Sequence, residues 1–88
     1  MTSSPLHRAS DEFASQLRRW REQRGLTKRA LAAEMGFDPS YVSHIEGGRH
    51  RPTEDFARRA EVVLRSGGAI WQSYMTYDKL RQSAPEAM

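Results

Sequence analysis

The chain has 88 residues, 14 Lys and Arg against 11 Asp and Glu, and a formal net charge of +3. That length allows one domain with a small core, and the absence of cysteine excludes a disulfide framework and a thiolate zinc site and fits a reducing cytoplasm. No segment approaches the ~20 apolar residues of a membrane-spanning helix and the first residues lack the apolar core of a signal peptide, so a soluble, cytoplasmic chain is expected.

Residues 1–9 read as a flexible arm. Ser10 is the expected N-cap of a first helix, with Asp11 and Glu12 behind it to complement the positive end of the helix dipole. Phe13, Leu17 and Trp20 recur at four and three residues, forming one apolar stripe that stops at Gly25. An aromatic in register with such a stripe belongs to the core. From 18 to 29 the basic residues Arg18, Arg19, Arg21, Arg24, Lys28 and Arg29 are interrupted by a single acid, Glu22. Such a run is either a solvated helix face or the footprint of a polyanionic partner.

Thr27 is the N-cap of a second helix over 28–35, with Leu31 and Met35 inward and Gly36 ending it in a left-handed turn. Phe37 plugs the core between helices. Asp38 then caps a third helix over 39–47, and Pro39 takes its first position, where a missing N–H costs nothing. Val42 and Ile45 give that helix an apolar side. At ~100° per residue, Ser40, Ser43, His44 and Gly47 lie roughly opposite. A helix buried on one side and polar but nearly uncharged on the other suits the reading of base edges in a major groove.

Gly47-Gly48 end the third helix, and Arg49-His50-Arg51-Pro52 form an exposed basic loop. Thr53 caps a fourth helix that carries Glu54 and Asp55 in its first turn and Phe56, Ala60, Val63 and Leu64 inward. Glu54/Arg58, Asp55/Arg59 and Glu61/Arg65 are acid-before-base pairs at four-residue spacing, which support a helix and make no binding site. Ser66-Gly67-Gly68 breaks the chain before a fifth helix from Ala69 to about Leu80. Ile70, Trp71, Tyr74, Met75 and Tyr77 supply more apolar surface there than one short helix needs to cover a four-helix core. Part of it, with Ile70, Trp71, Tyr74 and Met75 as the candidates, is expected to meet a second copy of the chain or another protein, the alternative being a terminal helix packed on its own subunit with no partner. Residues 83–88 read as a frayed tail.

Leu26-Thr27, Leu31-Ala32, Met35-Gly36-Phe37, Pro39-Ser40-Tyr41-Val42-Ser43, Ile45-Glu46-Gly47-Gly48-Arg49 and Pro52 together resemble the Xre family, whose helix-turn-helix domains are similar to the phage Cro and cI repressors. The Arg-rich wording and the Gly67-Gly68 boundary also look like the N-terminal modules of actinobacterial Xre regulators. The resemblance implies a recognition helix over 39–47, with base-reading positions at Ser40 and His44 and with Pro39, Tyr41 and Ser43 beside them. Lys28 falls where the family usually has a glutamine bonding a backbone phosphate, and Lys can serve there as a point charge. Thr27, backbone N–H groups around Gly48, and the side chains of Arg49 and Arg51 complete the implied phosphate contacts. Arg21 and Glu46 match a partly buried ion pair of several family members.

The expected architecture is therefore an all-α, compact five-helix, lambda-repressor-like domain. It comprises an arm over 1–9, a DNA-binding unit over 10–65, a C-terminal helix over 66–82 and a tail over 83–88. The expected partner is double-stranded DNA, bound at an inverted repeat by a homodimer. The alternative keeps the fold but makes the chain an antitoxin or accessory factor bound to another protein through its last helix. No nucleophile–base pair or phosphate-cradling glycine loop argues for an enzyme. His7, His44 and His50 lack metal-site spacing, and no cofactor is expected.

Overall fold

The computed structural model describes residues 4–83. Five helices follow in chain order: α1 (Pro5–Gln23), α2 (Lys28–Met35), α3 (Pro39–Glu46), α4 (Glu54–Leu64) and α5 (Ala69–Ser83). Four of them begin as short-range chemistry dictates. The side chains of Ser4, Thr27, Asp38 and Thr53 each accept a bond from a backbone N–H of the following first turn, which satisfies a donor the helix itself cannot. Gly36 ends α2 with φ 80°, the left-handed geometry that needs no Cβ.

α1 differs from expectation at its start. It begins at Pro5 under a Ser4 cap, not at Ser10, so residues 5–9 are helical where an arm was expected. The reason is local. Ser4-Pro5 is the same cap-then-proline signal as Asp38-Pro39, and Leu6 and Ala9 extend the apolar stripe far enough to pack against the core. Residues 1–3 and 84–88 of the expected arm and tail lie outside the described residues. Ser83 is the last residue of α5.

The core is built from Phe13, Leu17, Leu31, Val42, Ile45, Phe56, Leu64 and Ile70, all essentially sealed from solvent. Each such side chain stabilises the fold by about 1.5–3 kcal/mol through removal from water. Trp20 packs at its margin, with the Arg24 guanidinium 5.3 Å from its ring centre.

α5 corrects a second expectation. It lies along α1 and also packs on α4, and Ile70, Tyr74 and Tyr77 are buried in the chain's own core. The Tyr74 ring meets Phe13 edge-on at 6.4 Å. Ile70 and Tyr74 are thus spent within the subunit and drop out of any subunit interface. Trp71 is half-buried beneath the Arg58 guanidinium at 5.6 Å, and of the four interface candidates only Met75 is exposed.

The α4–α5 junction is the third departure. Glu61 makes no pair with Arg65; its carboxylate accepts from the Ser66 hydroxyl at 2.7 Å and from the N–H groups of Ser66, Gly68 and Trp71 at 3.0, 2.9 and 3.0 Å. It thereby caps α5 from the preceding helix. Burial pushes this carboxyl up, yet the Ser66 hydroxyl and the three N–H donors outweigh it, and the net result lies below the usual carboxylate range. Arg65, freed from pairing, closes α4 in the left-handed region at φ 50°. The Arg24 guanidinium donates to the carbonyls of Leu64 and Arg65, both at 2.7 Å. The outer pairs Glu54/Arg58 and Asp55/Arg59 form as expected. No helix among the described residues is long and apolar enough to cross a membrane.

Candidate nucleic-acid interface

α2 and α3 pack on one another and α3 leans on the end of α1, which is the frame of a helix-turn-helix. The buried side of α3 is Val42, Ile45 and Glu46. Glu46 sits where a helix's negative end disfavours an acid, and its place is explained by the arginine facing it. Arg21 Nε donates to Glu46 Oε2 at 2.6 Å, its Nη2 to Oε1 at 3.1 Å and its Nη1 to the Leu26 carbonyl at 2.8 Å. The side chains are 11% and 0% exposed. The hydrogen bond to Glu46 raises the Arg21 pKa against the opposing effect of burial, so the guanidinium stays charged. Arg18, on the solvent side of α1, adds a second cation at 3.6 Å from Glu46. This two-pronged pair welds the end of α3 to α1 and the α1–α2 turn. Arg18's share had no signal in the sequence, since one carboxylate at a helix end does not announce two partners.

The other side of α3 carries the residues named for base reading. Pro39 and Ser40 are exposed, while Tyr41, Ser43 and His44 are half-buried. Ser40 donates its hydroxyl to Asp38 Oδ1 at 2.6 Å while its N–H bonds the same oxygen at 2.8 Å. The hydroxyl bond first, and the N–H bond with it, hold the Asp38 carboxyl below its ordinary range. With its proton committed to an anion, Ser40 turns acceptor lone pairs outward. Tyr41 packs its ring against the core's margin, 5.1 Å from Phe37, 5.4 Å from Phe56 and 5.6 Å from His50.

The flanks hold the cations. Lys28 and Thr27 stand exposed at the start of α2. Thr27 Oγ1 accepts from the Ala30 N–H at 3.0 Å, so its O–H remains to donate outward. Arg49, His50 and Arg51 are exposed beyond α3, and Pro52 is buried beneath them. The backbone of this turn corrects the sequence reading. The N–H of Gly48 bonds the Ile45 carbonyl at 3.2 Å, and those of Arg49 and His50 bond the His44 carbonyl at 2.8 and 3.3 Å. These donors satisfy the open carbonyls at the end of α3 and are not available to a phosphate. The contribution of Gly48 is its φ of 79°, which folds the chain back so that His50 returns beside His44. The exposed cationic groups of this turn are the Arg49 and Arg51 side chains. Among the described residues no group of three or more His, Asp or Glu is placed to hold a metal ion.

The arrangement is a helix locked on one side and presenting polar side chains on the other, between exposed cations at the start of α2 and beyond α3. A family profile described as a helix-turn-helix domain matches residues 12–69. The chain belongs to that family, and its class is that of DNA-binding transcription regulators. No curated protein and no solved structure matches the chain at a comparable level.

Proposed function

We propose that this chain is an Xre-type regulator that recognises a specific double-stranded DNA sequence, reading bases with Ser40 and His44 and gripping phosphates with Lys28, Thr27, Arg49 and Arg51. The observation that carries the reading is α3 itself. One side is locked by Val42, Ile45 and the Glu46–Arg21 pair, and the other presents hydrogen-bonding groups without net charge between flanking cations. Phosphate contacts supply most of the affinity and the outer face of α3 supplies selectivity.

An inverted repeat bound by two copies follows from size. The eight residues of α3 span about 12 Å at ~1.5 Å per residue, which faces three to four base pairs at ~3.4 Å each. That is half a useful site, and a two-fold pair set ~34 Å apart would double it. The surface left for pairing includes Met75 and the edge of Trp71.

The test is a competition titration of variants against the preferred and a scrambled duplex at two salt concentrations. Lys28→Ala and Arg49→Ala should weaken both duplexes alike and make log affinity less dependent on log salt by about 0.9 per lost contact. His44→Ala should cost about 1–3 kcal/mol on the preferred duplex and little on the scrambled one. Equal losses on both duplexes for His44→Ala would show that this face does not read bases.

A further inference from the structure

In the sequence His50 is part of a basic turn and, with His7 and His44, lacks metal-site spacing. The structure seats its ring 4.9 Å from that of His44 at an interplanar angle of 88°, and 5.6 Å from Tyr41 at 66°. Both are edge-to-face contacts, the geometry aromatic rings prefer. Tyr41 in turn abuts Phe37 at 5.1 Å and Phe56 at 5.4 Å, and Phe56 is fully buried. An unbroken series of ring contacts thus runs from the middle of the core, through Tyr41 and His50, to His44 on the outer face of α3. Backbone bonds fix the same approach, since the His50 N–H reaches the His44 carbonyl.

We propose that His50 is a positioning residue for base recognition: its ring holds the His44 imidazole in the orientation that meets a base edge. The inference rests on the reading of His44 as a base contact and adds a residue outside the recognition helix to the specificity machinery. A side chain on a helix surface otherwise samples several staggered rotamers. Recognition by one imidazole gains from having that choice made before DNA arrives, because a preorganised group loses less freedom on binding. His50 is exposed and lies between Arg49 and Arg51, so the competing role is a phosphate contact. The two roles leave different traces.

The experiment compares wild type, His50→Ala, His50→Phe, His44→Ala and the His44→Ala/His50→Ala double variant by randomised-pool selection and by titration on preferred and scrambled duplexes. Thermal melting controls for folding. Positioning predicts that His50→Ala loses about two- to tenfold on the preferred duplex, the worth of one aromatic pair. Its preference should relax at the same base positions as in His44→Ala. His50→Phe, which keeps a ring and removes the ionisable nitrogens, should restore most of that preference, and the double variant should discriminate no worse than His44→Ala alone. A uniform loss on both duplexes with a shallower salt dependence, unrescued by Phe, would overturn the proposal in favour of a phosphate contact. An unchanged selection profile in His50→Ala would overturn it outright. If His44→Ala itself keeps full discrimination, the base-reading role of His44 has failed, and the positioning role falls with it.

Discussion

Replacing Glu46 by alanine removes the buried anion that ties α3 to α1. Arg21 would keep its bond to the Leu26 carbonyl at 2.8 Å but lose two charge-assisted bonds, at 2.6 and 3.1 Å, with only 11% of its side chain in solvent. Breaking a fully buried pair costs about 3–5 kcal/mol because a desolvated charge is stranded. Here the surviving carbonyl bond and the nearby surface offset part of that, and about 2–4 kcal/mol is expected. At ~4–8 °C per kcal/mol for a domain of this size, the melting temperature should fall by roughly 10–30 °C. Arg18 contributes little of this, since its side chain is 55% exposed and exposed pairs are worth about 0–1 kcal/mol. Arg18→Ala is therefore the matched control. Because the loss comes from an orphaned charge, replacing both partners by apolar residues, as in Arg21→Met with Glu46→Leu, should recover much of it. Differential scanning calorimetry of the four proteins decides the matter. A Glu46→Ala protein melting within a degree or two of wild type would refute the reasoning.

Two further outcomes concern α5 and its junction. Ile70→Ala or Tyr74→Ala should cost about 2–5 kcal/mol through the cavity left in the core, whereas Met75→Ala should leave chemical denaturation unchanged; a Tyr74→Ala chain of full stability would mean that α5 does not pack as described. Glu61 makes the fold acid-sensitive: its folded pKa lies below the ordinary carboxylate range, so its contribution is fully present above the unfolded pKa and is lost as pH falls through the lower, folded one. Glu61→Gln should lower the melting temperature at pH 7 and flatten its decline between about pH 5 and 3, and parallel pH profiles for the two proteins would contradict the capping role.

What the sequence disclosed was whatever physics makes local. Thr27, Asp38-Pro39 and Thr53 mark helix starts because the caps act within three residues, and Gly36 marks an end because only a left-handed turn fits there. Phe13 and Leu17 of α1, Val42 and Ile45 of α3 and Phe56, Ala60 and Leu64 of α4 face inward as periodicity requires, whereas the burial of Arg21 and Glu46 is implied only by the family resemblance. The same rule applies at Ser4-Pro5, which starts α1 just as Asp38-Pro39 starts α3. What stayed hidden required the tertiary arrangement. Glu61 is three residues along the helix from Arg58 and four from Arg65, and helical spacing favoured an ion pair. Its actual partners are the hydroxyl and N–H of Ser66 and the N–H groups of Gly68 and Trp71, the last two brought there by the turn at Gly67 and Gly68, both at positive φ. The aromatic excess of α5 suggested a partner because the extent of α1 was underestimated. A 19-residue α1 offers α5 a longer companion than the one counted from Ser10.

The arginines show why a charge run is a poor measure of a binding surface. Arg21 is consumed by Glu46 and the Leu26 carbonyl, and Arg24 by the carbonyls that end α4. Arg59 donates to the Met35 carbonyl at 3.0 Å while covering the Phe37 ring. Each places a planar, multiply donating cation on a helix's negative end or on a buried acid, work that the single ammonium of Lys does less well. In a domain this small, part of the stabilisation a larger core would supply is carried by such bonds. In the proposed function the phosphate-gripping cations are Lys28, the first residue of α2, and Arg49 and Arg51 beyond α3, all exposed on either side of the polar face of α3. In the proposed function affinity and selectivity therefore sit on different residues, so that a variant is expected to change one while leaving the other intact.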